Sequence, residues 1–316
     1  MKTSKVCILG GSGFVGRHIT HILAGQGVYV KVLTRMRERA RHLLVLPTVD
    51  VVETDVHSEN ELTAEFEGMD AVINLVGVLH DGRGRDGFSD AHVILAEKVI
   101  NACDKAKVGR LLHMSALKAD PDAPSEYLRS KADAEAMVRT AGDGIAVTIF
   151  RPSVIFGQGD SFLNRFAALI KLFPVLPLAS AESRFQPVFV EDVARVFTDS
   201  LDRRERFGRS YDVCGPRVYT LLELVQTTAS IMQLKRVIFG LSPSLSRLQA
   251  TLLELMPGKP MTRDNLRSME VDNVCDCDFA TQFGFTPASL AAIAPAYLAG
   301  NTPRGRYSYF RFRAGR

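Results

Sequence analysis

The chain has 316 residues, 46% hydrophobic and 23% charged, with 39 Lys and Arg against 35 Asp and Glu for a net charge of +4. That balance fits a globular protein large enough for one or two domains. No apolar run reaches membrane-spanning length and no signal peptide precedes the first apolar segment, which excludes a membrane-spanning class and predicts a cytoplasmic protein.

Residues 5–35 predict a strand, a glycine turn, a helix and a second strand. The apolar run 6–9 suits a strand buried on both faces. Gly10, Gly13 and Gly16 follow at three-residue spacing, and Phe14, Val15, Ile19, Ile22 and Leu23 then recur at helical intervals. A helix opening near Phe14 offers free N–H groups and the positive end of its dipole to a pyrophosphate. A lone glycine triplet is a weak signal, but here it stands between a strand and a helix, where a dinucleotide fingerprint belongs. The β-branched run 28–33 ends at Thr34-Arg35, with Arg37 and Arg39 behind and no carboxylate before Glu38. An acidic residue there would hold a ribose 2′-hydroxyl, whereas guanidinium groups match a 2′-phosphate. NADP(H) is therefore favoured over NAD(H), against the plainer reading of a solvated basic helix start.

A third strand is predicted at 49–52. Asp55 beyond it suits either a carboxylate beside an adenine or the N-cap of a helix over 58–66. A fourth buried strand over 71–76 leads to Gly77, where a cofactor can approach the backbone closely. Residues 80–90 read as a polar, mobile loop, followed by a helix over 91–106 and a strand over 110–114 that ends at Ser115. The helix SEYLRSKADAEAMVRTA starts on Ser125 as its cap, and a sixth strand over 145–150 closes at Arg151-Pro152. Strands alternating with helices predict an α/β fold, a doubly wound parallel sheet with ligands outside the strands' carboxyl ends.

Beyond Pro152 the alternation fades. Helices are expected over 161–173, 191–201, 221–232, 241–256 and 262–269, strands over 186–190 and 211–213, and an apolar link over 172–178. The domain boundaries follow: 1–152, completed by parts of 185–215, is the dinucleotide-binding domain, while 153–184 and 216–300 form a smaller cap or substrate domain. The leucines of 241–256 suit core packing, with an apolar membrane contact as the alternative. Five cysteines at scattered positions fit reduced thiols. Cys275-Asp276-Cys277 lacks a second Cys/His pair, so no metal is expected.

Tyr127 and Lys131 are four apart and share a helix face. A phenol ionises near pH ~10, and a neighbouring ammonium favours the phenolate, which brings Tyr127 toward use as an acid or base. Ser115 can polarise a carbonyl from the preceding strand end. On a solvated helix the Tyr/Lys pair is commonplace; behind a dinucleotide fingerprint it reads as catalytic.

With GGSGFVG, NLVG, Ser115, YLRSK and RPSVIFGQGD in that order, the chain resembles the short-chain dehydrogenase/reductase superfamily in its extended or atypical, epimerase/dehydratase-like branch. HMSALKADPDAPSEYLRSKADAE, RPSVIFGQGDSFLNRFA, QPVFVEDVA and GPRVYTLLELV are similar to blocks of relatives of the nucleotide-binding accessory subunit of mitochondrial respiratory complex I. The resemblance implies a Rossmann domain with the cofactor along Gly10, Ser12, Gly13, Phe14, Val15 and Gly16. It puts Arg35 at the 2′-phosphate and Asp55 and Val56 by the adenine. Leu75, Val76 and Gly77 then lie beneath the sugars, and Pro152 and Val154 beside the nicotinamide. It makes Tyr127 the acid/base, Lys131 its activator and a ribose ligand, and Ser115 the assisting hydroxyl. The segment between Ser115 and Tyr127 is short for that branch, which argues against a nucleotide-sugar substrate.

Two functions stay open. One is an NADP(H)-dependent oxidoreductase or epimerase acting on a carbonyl or alcohol; the other is a non-catalytic NADPH-binding accessory or redox-sensing protein of a respiratory or quinone-related complex. The segment 304–316 carries five arginines and no acid, and removing it takes the net charge to −1. Its arginines alternate with Tyr307, Tyr309, Phe310 and Phe312, a composition that suits an anionic membrane surface or an acidic partner, or else a solvated terminus. Docking would put the protein peripherally at the inner face of the membrane. The near-neutral body offers no footprint for nucleic acid.

Overall fold

The computed structural model describes residues 2–79, 81–82, 87–256 and 261–299. The chain forms two compact units, Met1–Pro152 with Val190–Val213, and Ser153–Phe189 with Cys214–Arg316. In chain order the first unit opens with β1 (Lys5–Leu9), α1 (Phe14–Gly25), β2 (Tyr29–Thr34) and β3 (Val49–Glu53). It continues with α2 (Glu59–Phe66), β4 (Ala71–Asn74), α3 (Leu95–Lys105), β5 (Arg110–Met114), α4 (Glu126–Arg139) and β6 (Ala146–Pro152). The second unit then supplies β7 (Ile155–Phe156), α5 (Leu163–Leu172), β8 (Val175–Leu178), β9 (Arg184–Phe185) and β10 (Val188–Phe189). The chain returns to the first unit for α6 (Val190–Asp199) and β11 (Arg209–Val213). It ends in the second with β12 (Tyr219–Thr220), α7 (Leu221–Ile231), β13 (Val237–Gly240), α8 (Pro243–Glu254), α9 (Arg263–Ser268) and short helical turns.

The first unit is a Rossmann-like, seven-stranded parallel sheet in the order β11-β6-β5-β4-β1-β2-β3. Its central strands are apolar without alternation because both faces are covered: Val6, Cys7, Ile8 and Leu9 are fully buried, as are Ala71, Val72 and Ile73. Cys7, Leu9, Val72 and Leu111 share one core with residues of α2, α3 and α4. Phe150, one residue out of step with Ile149 of that core, points to the other face and meets Phe197 of α6 at 4.5 Å between ring centroids. The strand order reverses between β1 and β4, and the glycine turn leaves the carboxyl end of β1 at that switch point.

Several boundaries differ from expectation. The fourth strand stops at Asn74, because the Asn74 Oδ1 accepts the Val76 N–H at 3.1 Å and turns the chain out of the ladder. The helix expected at 91 begins earlier, as a π-helical turn over Ser89–Ile94 that runs into α3. Residues 80 and 83–86 of the expected loop lie outside the described residues, as does the tail beyond 299. Asp55 is not a helix N-cap: Ser58 caps α2 by accepting the Glu61 N–H, while the Asp55 carboxylate accepts the His57 N–H at 3.0 Å.

The second unit has small strand pairs, β7 with β10 and β8 with β13 in parallel, β9 with β12 antiparallel. Its core joins α5 and α7 through Leu163, Ile170, Leu224 and Val225. The expected apolar link over 172–178 ends as β8, which pairs residue for residue with β13. Five reduced thiols are also overturned: Cys214 and Cys275 form a disulfide, and Cys7, Cys103 and Cys277 stand outside it. Gln186 brings the two segments together, its side chain donating to Gly215 O at 2.7 Å and accepting from the Cys275 N–H at 3.0 Å.

Candidate functional site

At the end of β1 the turn is drawn tight by a hydrogen bond from Gly13 N–H to Gly10 O at 3.0 Å. Gly10 takes φ +77°, which a side chain disfavours, and a Cβ on Gly16 would lie 2.3 Å from Gly10 O. The helix α1 that follows has no side-chain cap and no acid in its first turn. Its leading N–H groups and dipole therefore face outward, suited to an anion. Ser12 is half-buried in the turn and Val15 is buried behind it. The Phe14 ring lies under the Arg17 guanidinium at 5.4 Å and edge-on to His18 at 6.1 Å.

Arg35 is exposed at the end of β2. The carboxylate on the neighbouring strand end, Glu53, accepts the Arg37 N–H at 2.9 Å, and Glu38 pairs with Arg41. Asp55 lies just beyond β3 in the turn before α2, and Val56 is buried in the core below it. Leu75 is buried and Val76 half-buried beyond β4. Pro152 ends β6, its carbonyl accepting Leu117 N–H at 3.0 Å. Val154 falls in the second unit, where its N–H donates to Asn273 Oδ1 at 3.2 Å and its carbonyl accepts from Val188.

Ser115 directly follows β5, and Tyr127 and Lys131 stand one turn apart on α4. Lys131 Nζ donates to Met114 O at 3.4 Å and would lie 2.9 Å from a Cβ on Gly77. Tyr127 packs against the small cluster of Ala116, Ala123 and Leu128. Ser125 caps α4 as expected, accepting the Leu128 N–H at 3.2 Å. The Ser115 N–H is tied to Phe150 O at 2.8 Å, but its Oγ is buried with no hydrogen-bond partner among the described residues. An orphaned buried hydroxyl is costly unless something else binds there.

The electrostatics differ from expectation in one respect. Burial pushes the Tyr127 phenol up to about 12, so the neighbouring ammonium does not bring it toward ionisation. Burial, partly offset by Glu135, pulls the Lys131 ammonium down to about 8. Tyr127 is therefore a held proton at neutral pH.

His92 was not legible as part of this cluster. Its ring stacks on Phe88 at 5.6 Å and stands edge-on to Tyr127 at 5.8 Å. Its Nε2 accepts the Val78 N–H at 3.0 Å, which leaves the ring proton on Nδ1 for Ser130 Oγ at 2.9 Å. The Ser130 hydroxyl in turn donates to Tyr127 O at 2.8 Å. Burial and Lys131 hold His92 neutral, down at about 2. From below, Glu135 takes Arg151 Nε at 2.7 Å and Nη2 at 2.5 Å, fixing α4 to the end of β6. The only sequence signal for these partners was the arginine of RPSV.

A parallel sheet with a glycine turn at its switch point, and a half-buried tyrosine and a buried lysine on one helix face behind it, defines a nicotinamide-dinucleotide-binding α/β protein. The chain belongs to the NAD dependent epimerase/dehydratase family, whose model matches residues 6–214. It is similar to the mitochondrial NADH-ubiquinone oxidoreductase 40 kDa subunit of Neurospora crassa, 27% identical over 92% of this chain and 78% of the relative. A ceramide reductase of Caulobacter vibrioides is 29% identical over 77% of this chain and 73% of the relative. In fold it matches an NADPH-dependent quinone oxidoreductase of Escherichia coli solved with NADPH, with a TM-score of 0.75, 18% identity, and coverage of 93% of this chain and 99% of that one.

Proposed function

We propose that the protein is an NADP(H)-dependent reductase of a carbonyl compound. The observation that carries this reading is the orphaned, buried Ser115 hydroxyl at the end of β5, together with a half-buried Tyr127 and a buried Lys131 on one face of α4. When bound, the dihydronicotinamide supplies a hydride to the carbonyl carbon. The Ser115 Oγ–H donates to the carbonyl oxygen and fixes its position, meeting the partner it lacks. Tyr127 gives that oxygen its proton as negative charge grows on it, and Lys131 stabilises the phenolate left behind. His92 and Ser130 hold the Tyr127 backbone and ring in place. The turn at Gly10, Gly13 and Gly16 with the start of α1 holds the pyrophosphate, and Arg35 takes the 2′-phosphate. Asp55 and Val56 flank the adenine, Leu75, Val76 and Gly77 the sugars, and Pro152 the nicotinamide.

The test is NADPH consumption by purified protein against aldehydes, long-chain ketones, quinones and nucleotide sugars, with Ser115→Ala and Tyr127→Phe alongside. The expected result is turnover of a ketone, aldehyde or quinone that either change reduces by ~10²-fold or more. A second reading, a non-catalytic NADPH-binding accessory protein of a respiratory complex, is favoured by the likeness to a respiratory-complex subunit along 92% of the chain. Tight NADPH binding with no turnover on any of these compounds would select it.

A further inference from the structure

The helix α8 is built inside out. Ser246 and Ala250 are buried at 3% and 0%, while Leu245, Leu248, Leu252 and Leu255 are 51% to 80% exposed. Their spacing of three, four and three residues puts the four leucines in one stripe. Beside the helix, Gln249 Nε2 donates to Pro177 O of β8 at 3.1 Å. The β8–β13 pair turns Leu176 and Leu178 inward and leaves Val175, Val237 and Phe239 outward, 44% to 61% exposed. Ten of the fourteen large exposed apolar side chains among the described residues belong to α8, these two strands and the chain just flanking them. A soluble surface seldom concentrates apolar groups this way without a partner.

The charge around this face selects the partner. No carboxylate occurs in residues 161–181 or 224–253, which contain the two strands and nearly all of α8, whereas Lys171, Lys235 and Arg247 are exposed on them. An isologous contact with a second copy would set cationic rim against cationic rim. Apolar groups bordered by cations match a bilayer with anionic headgroups, which accepts the leucines into its acyl boundary and the cations at its phosphates. The sequence after residue 299 continues the bias with five arginines, four aromatics and no acid.

We infer that the α8 and β8–β13 face of the second unit docks reversibly on an anionic lipid bilayer, with the Leu245, Leu248, Leu252 and Leu255 stripe inserted. The test is flotation of the full chain with vesicles of phosphatidylcholine alone and of phosphatidylcholine with phosphatidylglycerol, at low and high salt. Binding should favour the anionic vesicles and weaken with salt. A Leu248→Glu, Leu252→Glu double variant should bind at least about tenfold more weakly. Because both side chains are exposed, its circular dichroism and NADPH affinity should match the parent. A Lys235→Glu, Arg247→Glu variant should lose the preference for anionic vesicles. Failure of the full chain to float with the anionic vesicles, or equal flotation of the leucine variant, would overturn the inference. So would a dimer in lipid-free solution that the leucine changes dissociate, since a second copy would then occupy the face.

Discussion

Replacing Lys131 with methionine should make the protein more stable while removing most of its activity. The ammonium is 3% exposed, and burial brings it from an ordinary 10.5 to about 8. At roughly 1.4 kcal/mol per pH unit, the folded state carries about 3 kcal/mol against keeping it charged at pH 7. Its hydrogen bond to Met114 O is long, at 3.4 Å, and losing it gives back about 1 kcal/mol. Methionine fills a similar volume without charge, so the net gain is about 2 kcal/mol. The sign with pH follows. Between about 8 and 10.5 the unfolded chain keeps a proton on Lys131 that the folded chain has lost, so wild-type stability rises through that window. The advantage of Lys131→Met is therefore full below pH 8 and shrinks above it. Urea unfolding of both proteins without cofactor, from pH 6 to pH 10, measures this directly. A variant less stable than wild type at pH 7, or a gap that widens with pH, would refute the reasoning.

Arg35→Ala should weaken NADP(H) binding and leave NAD(H) nearly unchanged, by ~10-fold if one charge-assisted contact to the 2′-phosphate is lost, as read by calorimetry. Gly13→Val should abolish binding of either dinucleotide while circular dichroism stays native, because a Cβ there already lies 3.1 Å from Gly10 O and its methyls project into the phosphate space. Tyr127→Phe should keep NADPH affinity and lose ~10²–10⁴-fold in kcat. Alkylation of unfolded, unreduced protein should label three thiols, those of Cys7, Cys103 and Cys277; labelling of all five would contradict the Cys214–Cys275 bond.

The sheet was legible because its signals are local. Val6 to Leu9, Gly10, Gly13 and Gly16 declare strand, turn and helix within a dozen residues, and Ser125 marks the start of α4 four residues after Pro121 in a turn-rich stretch. Spacing puts Tyr127 and Lys131 on one face of α4, and strand order puts Ser115 just past the carboxyl end of β5. What spacing does not encode is depth. Tyr127 and Lys131 read as a catalytic pair tuned by mutual charge, but burial dominates both. His92 reaches Tyr127 only through the π-helical turn, whose wider winding a 3.6-residue period does not describe. The disulfide joins residues 61 apart through Gln186, a pairing set by the second unit's loops. In α8 the periodicity marked the helix correctly but not which side of it faces the core, because leucines at helical spacing carry no label for inside or outside.

In the reaction we propose, Tyr127 delivers a proton to a carbonyl reduced by the bound cofactor. Protein loaded with one equivalent of NADPH and mixed with the carbonyl compound that gives the best turnover, wild type beside Tyr127→Phe, tests it in a single turnover free of release steps. Rapid loss of reduced-nicotinamide absorbance is expected in the wild type and a rate lower by ~10²-fold or more in the variant, with NADPH still bound in both. Equal rates in the two proteins, or bound NADPH that no carbonyl oxidises, would contradict it.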